Sequence, residues 1–173
     1  DLTIYGAGAL VVSGNYLDGI SSKDGLIIAG GSITVTAVDA GLRGKDYLVV
    51  ENGALAIRAG GDGLKADNEE DATLGYIAIS GGAGQVAAGG DAIDAQTDVS
   101  ISGGTFALVS GGGSAAQAGE SASARGILGA VSVTVDGGAL TIDAADDAIH
   151  SNGSVTINGG ALNLASGDDA VHA

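Results

Sequence analysis

A chain of 173 residues carries 21 acidic groups against 6 lysines and arginines, a net charge of −15, and 33 glycines with no proline, cysteine, methionine or tryptophan. The acidic balance without any basic stripe excludes nucleic acid as a partner, and the lack of cysteine excludes disulfides and thiolate chemistry. No apolar run reaches the ~18 residues that a spanning helix needs, so membrane insertion is excluded as well.

Along the chain, Gly-Gly or Asn-Gly pairs end at Gly31, Gly53, Gly82, Gly104, Gly138 and Gly160, separated by 22, 29, 22, 34 and 22 residues. A 22-residue repeat with insertions of 7 and 12 residues marks a solenoid. Three and five residues before each glycine stand apolar columns, Ile28, Val50, Ile79, Ile101, Val135 and Ile157, and Leu26, Leu48, Ile77, Val99, Val133 and Val155. Alternation of this kind predicts a half-buried strand.

Two and four residues after the glycine a second strand is predicted by Ile33/Val35, Leu55/Ile57, Phe106/Leu108, Leu140/Ile142 and Leu162/Leu164, with Gly84/Val86 as a weak copy. A third follows at Leu42, Leu64, Ile93, Ile149 and Val171. Three short strands and three corners per repeat make one coil of an all-β parallel β-helix. Counting from Leu2, the chain holds about seven coils in one domain, 1–173. Glycine suits the corners, and the absence of proline suits a backbone whose N–H groups all join ladders. With no methionine and with strands at both termini, the expectation is the interior of a longer secreted chain, or a unit whose open ends stack head to tail into a fibre or matrix.

The aspartates fall into register. Eight and nine residues after the glycine the columns read Asp39-Ala40, Gly61-Asp62, Gly90-Asp91, Asp146-Asp147 and Asp168-Asp169. Two carboxylates about 5 Å apart repel by roughly 3 kcal/mol at an effective dielectric near 20, so the stack requires a neutralising partner. Oxygen-rich clusters suit a hard cation, and calcium is the expected cofactor. The seven-residue insertion adds Asp67, Glu69, Glu70 and Asp71 at the corner after Asp62, where the spacing makes them face Asp94, Gln96 and Asp98 of the next coil. The expected metal ligands are therefore Asp62, Asp67, Glu69, Glu70, Asp71, Asp91, Asp94, Asp146, Asp147, Asp168 and Asp169. A nonapeptide calcium roll lacks its nine-residue period here, and an EF-hand lacks its spaced ligands.

The segments 60–73 (GGDGLKADNEEDAT), 89–106 (GGDAIDAQTDVSISGGTF) and 146–160 (DDAIHSNGSVTINGG) resemble the β-helical carbohydrate-binding family of bacterial secreted proteins, and the resemblance runs from Leu2 to Ala173 in one register. It implies a right-handed parallel β-helix similar to pectate lyases, bound calcium, and affinity for cellulose and acidic sugars such as polygalacturonate without catalysis. The threonines and aromatics usual on the family's second strand are replaced at Ala83, Gly84 and Ala139, which removes part of a sugar-binding face.

For the ligand site, Tyr47 and Tyr76 share a column in consecutive coils and offer a stacking platform, or else cover an edge of the core. A further column runs Arg43, Lys65, Asp94, His150 and His172 beside a uniformly small one, so it points outward. Arg43 and Lys65 can hold a uronate carboxylate, or simply match nearby acids. The resulting reading is a non-catalytic, calcium-dependent binder of polysaccharide outside the cell or at its surface. A self-assembling structural helix and a pectate-lyase-like enzyme with Arg43 or Lys65 as base are the alternatives. The insertion between Gly113 and Arg125, rich in Ser, Ala and Gly, is expected to be an exposed mobile loop.

Overall fold

A computed structural model describes residues 1–116 and 123–173 and contains strands, turns and bends but no helix. The strands form three sheets of seven, every neighbouring pair parallel. One coil contributes one strand to each sheet; coil 2, for example, consists of Gly25–Ile28, Ser32–Ala37 and Leu42–Gly44. Coil 3 follows with Tyr47–Val50, Ala54–Ala59 and Leu64–Ala66. This is the parallel β-helix of about seven coils that the repeat predicts. The expected mobile loop between Gly113 and Arg125 lies largely outside the described residues. No helix among the described residues is long and apolar enough to cross a membrane.

Registration across coils has no slips, and the glycine-based alignment of the sequence coincides with the Cα pairing. Ile77 sits opposite Leu48 and Val99, Val86 opposite Ile57 and Leu108, and Ile93 opposite Leu64 and Ile127. In each coil these inward residues meet in one core, where Leu26, Leu48, Leu64, Ile77, Ile93, Leu108, Ile127 and Val133 are wholly buried. The six-residue strands of the second sheet alternate regularly, as in Ser32–Ala37, because a two-residue period places every other side chain inside.

Gly84, the weak copy in the second strand, has a packing reason. A Cβ there would lie 2.9 Å from the Leu55 Cβ and 3.0 Å from the Phe106 ring. Phe106, the single phenylalanine of the chain, is 2 % exposed and lies opposite Gly84 in the adjacent strand. One coil thus gives up a side chain to the larger one beside it. Phe106→Ala should leave that volume empty and cost about 3–5 kcal/mol, read as a lowered urea midpoint with the β-type circular dichroism retained.

Candidate functional site

The acidic columns do come together, but with a geometry of their own. At the entry to the third sheet, aspartate side chains point along the stack onto the backbone of the following coil. Asp18 Oδ1 accepts the N–H of Ala40 at 3.3 Å, Asp62 Oδ1 that of Asp91 at 2.9 Å, Asp91 Oδ1 that of Arg125 at 2.6 Å, and Asp147 Oδ1 that of Asp169 at 2.9 Å. Each such charge-assisted bond contributes about 1.5–3 kcal/mol. The column is broken at Ala40 and at Arg125, whose backbone takes the aspartate's place after the second insertion.

Cations stand among these carboxylates. Lys65 Nζ lies 2.5 Å from Asp62 and 3.0 Å from Asp94, its partner in the outward column of the third sheet. Burial alone would lower the lysine pKa, but the hydrogen bond to Asp62 and the charges of Asp94 and Asp62 more than reverse this and hold the ammonium above its ordinary range. Arg43 grips Asp67 through Nε and Nη2 at 3.0 and 2.9 Å, with Asp18 at 3.8 Å, and its pKa is raised chiefly by the Asp67 hydrogen bond. Asp62, Asp91 and Asp94 nevertheless place three carboxylate oxygens within 4.8 Å of one another, and Asp146, Asp147 and Asp168 do the same.

The seven-residue insertion turns toward the preceding coil, whereas the spacing pointed it at Asp94, Gln96 and Asp98. Its acids find bases there: Asp67 pairs with Arg43, and Glu70 with Lys45 at 3.1 Å. Buried Asn68 organises the loop, accepting the N–H groups of Glu70 and Asp71 at 2.9 and 3.0 Å and donating to Asp46 at 2.6 Å. Glu69 and Asp71 are exposed, and the Asp71 carboxylate, held down by the Thr73 hydroxyl and N–H, closes a local turn. On the far side Leu74 and Gly75 reach the next coil, accepting hydrogen bonds from Thr97, and Gly75 lies against Gln96.

Tyr47 and Tyr76 stack with ring centroids 5.5 Å apart and planes 15° from parallel. The other face of Tyr47 lies over Gly25, where an added Cβ would sit inside the ring. Tyr47 is therefore covered on both sides along the stack, by Gly25 and by Tyr76.

A further concavity lies elsewhere, on the outer face of the second sheet. A trough of 860 Å³ crosses the strands Ala54–Ala59, Ala83–Ala88, Thr105–Ser110, Ala139–Ala144 and Ala161–Ser166. Its floor is alanine methyls and backbone, and its polar groups are Gln85, Thr105, Thr141 and Asn163. Gln85, Thr141 and Asn163 belong to one outward column, with Ala107 between the first two. A smaller hollow of 190 Å³ continues it past Thr34 and Arg58. The sequence carries the signal for this surface in the small and polar residues at alternate second-strand positions; Ala83, Gly84 and Ala139, expected to remove part of a sugar-binding face, line the trough.

A family model described as carbohydrate-binding domain-containing protein matches residues 1–170. No curated protein and no solved structure matches the chain.

Burial pushes the Asp91 carboxyl up to about 6, although the Arg125 N–H and the Ser123 hydroxyl oppose the shift. The folded state therefore takes up this proton before the unfolded chain does. Its burial penalty is present above pH 6 and is relieved as pH falls toward 4, a gain on the order of 2–3 kcal/mol. Asp91→Asn keeps an acceptor for Arg125 and removes the titration. In calcium-free buffer, urea unfolding at pH 8 and pH 5 should show a stability gain at the lower pH that is smaller in the variant.

Proposed function

Since the chain belongs to the carbohydrate-binding domain family, we propose that it is a non-catalytic polysaccharide binder that holds an extended glycan along the trough of the second sheet. The observation that carries this reading is the trough itself, which runs across five strands with a flat floor of small residues. Parallel strands repeat at about 4.8 Å, close to the length of one sugar residue in an extended glycan, so successive sugars meet equivalent positions. Alanine methyls and peptide planes suit the C–H faces of pyranose rings. Gln85, Thr105, Thr141 and Asn163 supply donors and acceptors for hydroxyls. Such a surface favours neutral glycans of the cellulose type, and it implies an extracellular or cell-surface location, where such polymers are met.

A lyase reading finds little support in the bases. Proton abstraction requires a free base near neutral pH, whereas Arg43 and Lys65 are both held in their charged forms by aspartates.

A second reading, calcium-dependent binding of acidic sugars, is favoured by the corner of Asp62, Asp91 and Asp94, where three carboxylates lie within 4.8 Å of one another and two of them hold one ammonium. The all-oxygen donor set fits calcium. These residues would hold the ion in place of the Lys65 head group, and calcium would supply a charge to which a uronate can bind. Lys65→Ala should accordingly tighten calcium binding in calorimetry; unchanged affinity would remove the ion from this corner.

The two readings separate in affinity electrophoresis through soluble cellulose derivatives and polygalacturonate, with and without a calcium chelator. Gln85→Ala combined with Asn163→Ala should weaken the neutral glycan roughly 10-fold, the loss of about two hydrogen bonds, and Ala139→Arg should block it. Tyr47→Ala should leave it intact. Undiminished retardation of Ala139→Arg would sink the trough, and chelator-sensitive binding of polygalacturonate alone would leave the calcium corner as the site.

A further inference from the structure

The two histidines of the chain stand together, away from the trough and from the Asp62 corner. His150 and His172 are direct neighbours in the outward column of the third sheet, with ring centroids 4.8 Å apart. Both turn Nδ1 toward the same oxygen of Asp147, at 2.7 Å from His150 and 3.3 Å from His172. Asp147 is buried, and its second oxygen is fixed by the N–H of Asp169. The Asp169 carboxylate lies 3.5 Å from His172 Nδ1. On the far side of the His150 ring, Nε2 is 3.1 Å from Asn152 Oδ1.

These contacts constrain the protons. A neutral imidazole has one N–H. If His150 donates it from Nδ1 to Asp147, its Nε2 lone pair is left facing the Asn152 carbonyl oxygen; if it donates from Nε2 to that carbonyl, its Nδ1 lone pair faces a carboxylate oxygen, and a cation between them resolves the clash. A proton can satisfy one ring, but protonating both sets two positive rings one strand spacing apart. A divalent metal satisfies both Nδ1 lone pairs and the carboxylate at once. Zinc with bonds of about 2.0–2.1 Å in tetrahedral geometry sets its ligands about 3.3 Å apart; the Asp147–His172 separation is 3.3 Å, the Asp147–His150 contact of 2.7 Å must open to admit the ion, and the three ligand atoms lie within 4.8 Å of one another. The Asn152 and Asp169 contacts are the outer-shell partners that orient metal-bound histidines and carboxylates. Two imidazole nitrogens and an oxygen favour a zinc-type ion over calcium or magnesium.

We propose that Asp147, His150 and His172 form a zinc-type metal site that clasps the last two coils together, with Asp169 as the fourth donor at its open side. The ligands come from coil 6 (Asp147, His150) and coil 7 (His172, Asp169), so binding adds to the ladder and to the Asp147–Asp169 bond that already join these coils. Nothing in this site depends on glycan binding.

The test is calorimetric titration of the untagged, metal-free chain with zinc chloride, joined to thermal melting and to cobalt substitution. One zinc per chain is expected, with a raised melting temperature and cobalt absorption of the tetrahedral type. His172 is about half exposed, so His172→Ala should fold normally and lose at least ~100-fold in zinc affinity; His150→Ala should do the same. Asn152→Ala, which touches only the far nitrogen, should weaken zinc by about 10-fold. Zinc affinity unchanged in the His150→Ala/His172→Ala double variant would overturn the site, and so would displacement of zinc by millimolar calcium or the absence of any zinc heat.

Discussion

Parallel, in-register stacking is the constraint on which everything else in this molecule depends. Each coil lies directly on the last, so a residue's nearest neighbours are its equivalents one repeat away. For apolar side chains this is favourable without further arrangement, since like packs on like. Where a side chain is too large, the adjacent coil must yield, as Gly84 does to Phe106. For charged side chains the same rule is unfavourable, because it sets like charges beside each other.

The protein meets that electrostatic problem in three ways. Aspartates at the entry to the third sheet turn along the stack and accept backbone N–H groups of the next coil, so the charge is spent on joining coils. In the outward column Asp94 has Lys65 on one side and the apolar Leu128 on the other, so it meets no acid there. The insertion carries its acids back to Arg43 and Lys45. At the end of the same column the neighbours are two imidazoles over one buried carboxylate, an arrangement suited to a shared cation.

Stacking also explains the flat face of the second sheet. With alanine, threonine, glutamine and asparagine pointing outward, no side chain rises far above the strands, and a trough extends over several coils with one repeating pitch. A linear polymer of repeating units is the natural complement of such a surface. A single compact ligand has no use for that periodicity.

The sequence by itself determined the architecture. A fixed 22-residue interval with alternating apolar residues leaves few foldings other than a three-stranded coil, and the columns aligned on Gly31, Gly53, Gly82, Gly104, Gly138 and Gly160 are the columns of the sheets. The outward direction of Arg43, Lys65, Asp94, His150 and His172 and the stacking of Tyr47 on Tyr76 were legible for the same reason, since register is a linear property. Tertiary structure decided what those side chains do with their position. The direction in which Asp62 and Asp91 point, the turn of the insertion back to the preceding coil about Asn68, and the covering of Tyr47 by Gly25 depend on rotamers and on neighbours from more than one strand. So does the trough, which is a cavity bounded by side chains that are not there. Periodicity specifies which residues are neighbours; only three-dimensional packing specifies which atoms meet.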